Sequence, residues 1–286
     1  MRASGLPASF WICSGGTFSN SHLPACNKFV FFIKRHLDMD IINIIVIFLV
    51  GIGASIFGTI VGGSSLITIP LLIVMGLSPH AAIGTDRIGI IGLTLAGWYK
   101  FHQKRLVDYR IGISMAIPAL MGSLLGAKIV LQINEAVLKL IIAGLTVLMA
   151  IFMILRPDTG IDKTTETVKI SDYLIGALMT FLVGIYAGFY GAMAGTFLFY
   201  ILLIWFKHTF LESAGTMKIA GFFMNLMAAV VFALNGAVDF LLGVVLFAGC
   251  FIGSFLGAHY SDKLGNVWIR RFFILIIAMM IIKLII

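Results

Sequence analysis

The stretch IINIIVIFLVGIGASIFGTIVGGSSLITIPLLIVM, residues 41–75, is an apolar run interrupted at Gly62-Gly63-Ser64-Ser65. The first part is long enough for a helix across a hydrocarbon core of roughly 30 Å, and the part after the break is too short to cross again. The economical reading is a helix that enters the membrane, breaks and returns on the same side as a re-entrant pair. Broken backbone is tolerated at that depth only where it is buried in protein or lines a cavity. A second break, Gly188-Phe-Tyr-Gly191-Ala-Met-Ala-Gly195-Thr196, also precedes a short apolar run, 196–206.

The rest of the chain fits the same solvent. Of 286 residues, 60% are hydrophobic and only 11% charged, with a mean hydropathy of +1.10, against roughly 25% charged in an ordinary globular domain. Apolar segments run approximately over 41–61, 64–76, 83–99, 111–131, 136–155, 173–194, 196–206, 219–234, 238–258 and 267–286. The fold class expected is all-α: a polytopic membrane protein with the lipid bilayer as its surroundings. The net charge of +8 is then an orientation signal. No basic stripe interleaved with aromatics points to nucleic acid.

The breaks belong to a repeat. Val50-Gly51-Ile52 matches Val183-Gly184-Ile185, and Gly58 and Gly62 match Gly191 and Gly195, all at an offset of +133. From residue 84 the offset is +131: Gly84-Thr85 matches Gly215-Thr216, Arg87 matches Lys218, and Val107-Asp108 matches Val238-Asp239. Gly122-Ser123 likewise matches Gly253-Ser254. Each copy holds a re-entrant pair and three full spans. Three crossings are odd, so the second copy is expected to be inverted, the plan of many secondary transporters. The expected divisions are an extension over 1–38, with Met39 as the expected natural start, repeat 1 over 39–155, a connector over 156–172 and repeat 2 over 173–286.

Loop charges orient the chain. Lys100, Lys104, Arg105 and Arg110, the connector's Arg156, Lys163 and Lys169, then Lys207, Lys263, Arg270 and Arg271 all fall on one face. The short loops 77–82, 131–135 and 234–239 on the other face contain no Lys or Arg. The basic face, bordered by Trp98, Trp205 and Trp268, is expected to be cytoplasmic. The connector is then inside, and the C-terminus outside the inner membrane of a bacterial cell.

No catalytic motif, metal-ligand cluster or cofactor fingerprint occurs in the sequence. The six histidines are scattered, and Cys13, Cys26 and Cys250 form neither a disulfide framework nor a metal quartet. The informative residues are the breaks. A break ending in Gly62, Gly63, Ser64 and Ser65 leaves backbone N–H groups at the start of the next half-helix, an end that suits an anion. Ser64, Ser65 and Thr68 add hydroxyls, as only Thr196, after Gly195, clearly does in the second copy. Close helix packing explains such glycines as well. Arg87 and Lys218, following Thr85 and Thr216, read either as solute contacts or as interfacial anchors near the start of their spans. Asp86 reads as lying near a span end, where it can hold Arg87, and Asp108, Asp239 and Glu212 as loop residues or helix caps. Thr94, Tyr190 and Asn225 are polar within spans, which interhelical hydrogen bonds also explain.

At this point the residues resemble a known family. Gly62-Gly63-Ser64-Ser65-Leu66-Ile67-Thr68-Ile69-Pro70 and Ala82-Ile83-Gly84-Thr85-Asp86, echoed by Ala214-Gly215-Thr216-Met217, look like the motifs of the sulfite exporter TauE/SafE family, also called the toluene sulfonate uptake permeases. The likeness covers about residues 40 to 286. It departs at Ser64, Asp86 and Met217, where the family shows Gly, Ser and Ser. The resemblance implies an inner-membrane carrier of sulfite, sulfonates or related sulfur anions.

The function expected is therefore secondary transport of a small anionic solute by alternating access, with no enzymatic activity. The substrate-binding set is Gly62, Gly63, Ser64, Ser65, Thr85, Arg87, Gly195, Thr196, Thr216 and Lys218. The competing readings are a non-transporting membrane subunit and a carrier of a neutral or cationic solute. A homo-oligomer is left open by the sequence.

Overall fold

The computed structural model describes residues 41–155 and 170–261, and within these every regular element is helical. The extension 1–38, most of the connector and the segment 267–286 lie outside the described residues. Repeat 1 comprises α1 (Ile41–Val61), α2 (Ser65–Val74), α3 (Pro79–Gln103), α4 (Tyr109–Leu131) and α5 (Glu135–Leu155). Repeat 2 comprises α6 (Ile170–Phe189), α7 (Ala194–Tyr200) with a π-helical continuation over Ile201–Trp205, α8 (Phe210–Leu234) and α9 (Phe240–His259).

Among the described residues five helices, α1, α4, α6, α8 and α9, are long and apolar enough to cross a bilayer. The half-length α2 and α7 follow full-length α1 and α6, so each pair is one long helix and one short one. Two spans are longer than hydropathy indicates. The runs 83–99 and 219–234 are the apolar parts of 25-residue helices α3 and α8, each about 37 Å long at 1.5 Å per residue. Both helices have capped starts. Ser78 accepts from the Ala81 N–H with Pro79 at the first helical position, and Thr209 forms a capping box with Glu212.

The surface is apolar, and polar and charged side chains are buried among the apolar ones of the interior. Ile41, Ile45 and Leu49 on α1, Ile113, Ile117 and Met121 on α4, and Leu174, Leu178 and Leu182 on α6 point outward at helical spacing. Ser55, Thr59, Thr68, Thr85, Asp86, Arg87, Thr196, Thr216 and Lys218 are buried. Outward leucines and isoleucines cost nothing in lipid, whereas buried polar groups require partners.

Those partners come mostly from the other repeat. α4 packs against α6 and α8, and α3 against α8 and α9. Glycines allow backbone contact at these crossings. A methyl on Gly122 or Gly126 would enter the Phe181 or Ile185 carbonyl of α6, and one on Gly253 or Gly257 would enter the Ile52 or Ile56 carbonyl of α1. The pairs correspond between the repeats with a slip of one helical turn, since Gly122 and Gly253 differ by 131 whereas their partners Phe181 and Ile52 differ by 129 and not 133.

The reciprocity extends to hydrogen bonds. The Ser123 hydroxyl donates to the Met224 carbonyl and the Ser254 hydroxyl to the Leu93 carbonyl, both at 2.6 Å. Asp239 N–H donates to Thr85 Oγ1 and Asp108 N–H to Thr216 Oγ1, both at 2.9 Å. In each case residue i meets j while the copy of j meets the copy of i, as across a two-fold contact.

Candidate functional site

The two breaks meet in the middle of the molecule. Gly62 and Gly63 take φ of 85° and 93°, a left-handed conformation that only glycine adopts without penalty. In repeat 2 the left-handed residues are Gly191 (φ 76°) and Met193 (φ 63°), whereas Gly195, the sequence equivalent of Gly62, lies inside α7. Gly62 abuts Gly195 and Thr196 so closely that a methyl on Gly62 would stand 2.6 Å from the Thr196 nitrogen. Equivalent residues of the two repeats therefore touch.

Beside this contact is a small, partly open cavity. Gly62, Gly63, Ser64 and Ser65 line it from the first break, and Gly191, Ala194 and Gly195 from the second. α3 contributes Arg87, Ile90, Leu93 and Thr94; α8 contributes Met217, Lys218, Gly221, Met224 and Asn225. The N–H groups of Gly63 and Ser64 find no acceptor among the described residues.

Arg87 and Lys218 are each the ninth residue of a 25-residue helix, roughly 12 Å along it from the first residue. Their exposures of 1% and 2% overturn the reading of interfacial anchors, because a snorkelling side chain keeps its charge in water. The two differ in partners. Arg87 Nη1 donates to Asn225 Oδ1 at 3.1 Å and Nη2 to the Tyr190 carbonyl. Its guanidinium occupies the space that a side chain on Gly191 would fill, so it covers the second break. Only its Nε lacks a partner among the described residues. Lys218 lays its stem against Gly97 and lines the cavity. Its ammonium has neither a hydrogen bond nor an ion pair among the described residues.

Asp86 corrects a second expectation. It is fully buried, not at a span end. It takes its hydrogen bonds from Ser65 Oγ, at 2.7 Å, and from Thr68 Oγ1, not from Arg87, because successive helical side chains diverge. The hydroxyls of Ser65 and Thr68, read as donors to a solute, are thus directed to a carboxylate.

Thr85 and Thr216, expected at the site, instead accept the backbone N–H groups that begin α9 and α4. Gly84 and Gly215 beside them abut the carbonyls of Ala237 and Leu106. Gly-Thr in each repeat is a clamp on the other repeat. Thr196 is buried at the Gly62 contact and does not line the cavity. Asn225 and Thr94 do line it, at equivalent positions 131 apart. The sequence signal for them was polarity within a span, which does not distinguish a cavity wall from a helix contact.

Buried cations, duplicated helix breaks and an apolar exterior define a multi-pass α-helical membrane protein with a central cavity. The chain matches the sulfite exporter TauE/SafE family over residues 47–284, and it belongs to that family. It is 28% identical to a probable membrane transporter protein of Haemophilus influenzae over 249 residues, 87% of this chain and 97% of that one. It is also 28% identical to the probable membrane transporter protein YfcA of Escherichia coli K12, covering 84% of this chain and 88% of the relative. With the probable membrane transporter protein YdhB of Bacillus subtilis it shares 25% identity, covering 79% and 92%. No solved structure gives a significant match. The protein is a membrane transporter for a small solute, embedded in a lipid bilayer.

Proposed function

We propose that the protein is a secondary transporter of small anions, with sulfite, organosulfonates and related sulfur anions as the solute class, working by alternating access between inverted repeats. The observation that carries this reading is Lys218. An ammonium taken from water without a counter-charge is costly, so a buried one opening on a cavity is matched to a ligand that brings the charge. Arg87, the unpaired N–H groups of Gly63 and Ser64, and the absence of any carboxylate from the cavity lining support the same sign. Asp86, the buried carboxylate that a cation carrier would use, is occupied by Ser65 and Thr68 and does not line the cavity. The family supports sulfur anions in particular. The reciprocal contacts between copies support repeats related by a two-fold axis, and loop charge supports a cytoplasmic connector in a bacterial inner membrane. No catalytic step is assigned to any of these residues.

Counterflow of labelled sulfite in proteoliposomes, competed with a panel of anions, tests the proposal. Sulfite and sulfonates are expected to exchange and to compete, while neutral and cationic solutes do not. Absence of exchange by every anion, in protein that remains folded, would exclude it.

A further inference from the structure

Three charged side chains lie in or directly behind the cavity wall. Arg87 and Lys218 line it; Asp86 stands one hydrogen bond behind, through Ser65, itself a lining residue. Ser65 Oγ and Thr68 Oγ1 each meet a different carboxylate oxygen of Asp86. With Asp86 counted as a carboxylate, the three charges sum to +1. The repeat makes this an asymmetry of design. Residue 86 in the first copy corresponds to residue 217 in the second, and Met217 takes that place on the cavity wall. Arg87 therefore has an adjacent acid to balance it, and Lys218 has none.

Resting on the anion-transport reading, we infer that the cavity selects a solute carrying a single negative charge, and that Asp86 sets this limit by neutralising Arg87. A monoanion closes the charge count at zero. A dianion leaves one negative charge in excess, in surroundings where water and salt screen little and an unpaired charge is expensive. A tetrahedral sulfur centre with one charge, a sulfonate or hydrogensulfite, fits; one with two, such as sulfate or fully deprotonated sulfite, does not. Asp86 is then a specificity-determining residue that never touches the solute.

The test compares methanesulfonate, a monoanion, with sulfate, a dianion, by titration calorimetry of the purified full-length protein at matched ionic strength. Wild-type protein is expected to bind methanesulfonate at least roughly tenfold more tightly, a difference of about 1.4 kcal/mol. Asp86→Asn raises the local sum to +2 and is expected to narrow that ratio about tenfold or invert it. Sulfate bound as tightly as methanesulfonate by wild-type protein overturns the inference and leaves anion transport standing. So does a folded Asp86→Asn protein with an unchanged ratio. Should that variant fail to fold, Asp86→Ser takes its place, with the same narrowing expected and an unchanged ratio again overturning the inference. If neither anion binds nor competes with labelled sulfite, the inference and the anion reading fall together.

Discussion

Removing charge at Arg87 and at Lys218 separates two roles that their equivalent positions conceal. Arg87→Gln leaves the Tyr190 carbonyl and Asn225 Oδ1 without their donor, and a buried group so orphaned costs about 1–3 kcal/mol. Lys218→Gln breaks no protein hydrogen bond among the described residues and removes a buried unpaired charge. Thermal unfolding in detergent should therefore show a lowered midpoint for Arg87→Gln and an unchanged or raised one for Lys218→Gln. Anion affinity should fall by about 1 kcal/mol or more in the lysine variant, the worth of a charge-assisted hydrogen bond. A lysine variant that is as unstable as the arginine variant, yet binds normally, would make Lys218 a structural residue. Sequence alone locates both residues but not this difference. Their partners, a backbone carbonyl at 190 and an amide at 225, are distant in the chain, and nothing in composition announces them.

At the scale of elements, the helix breaks were legible because glycine clusters and short apolar runs coincide. The extents of α3 and α8 were not. Glu212 and Lys218 depress hydropathy at the start of α8, as do His80, Lys100, His102 and Gln103 at the ends of α3, where both helices continue. The break in repeat 2 also shifts, to Gly191 and Met193, since a non-glycine residue can be held left-handed where packing over-determines it. These geometries predict which glycines tolerate a methyl. Gly62→Ala puts a Cβ 2.6 Å from the Thr196 backbone nitrogen, at a φ of 85°, and combines a clash with a left-handed penalty of about 1–2 kcal/mol. Gly144, in α5, has nothing within 4 Å of an added Cβ, so Gly144→Ala should be neutral or stabilising by up to about 1 kcal/mol. Solute counterflow should be lost in the first variant and retained in the second. Equal effects of the two on transport and on unfolding temperature would show that the break carries no special constraint.

Across the whole molecule, the offset of +131 reappears as reciprocal packing. Gly112 faces Ile219 while Gly243 faces Ile88, and Gly84 faces Ala237 while Gly215 faces Leu106. Such interlocking makes each repeat the other's support, so the cavity lies where the copies meet and not within either. Whether the copies are inverted is a separate property, because internal contacts do not say which end of a helix faces the cytoplasm. Lys104 and Asn235, 131 apart, are the C-cap residues of α3 and α8, and inversion places them on opposite sides of the bilayer. The charge asymmetry assigns the side. Lys104 lies among Lys100, Arg105 and Arg110, and Asn235 in a loop without Lys or Arg, so under the proposed orientation Lys104 is expected inside and Asn235 outside. With the three native cysteines replaced by serine, Asn235→Cys should react with a membrane-impermeant maleimide on intact cells. Lys104→Cys should react only after the membrane is opened. Labelling of both from one side would make the repeats parallel, and would remove the two-fold relation on which exchange of the cavity between opposite faces depends.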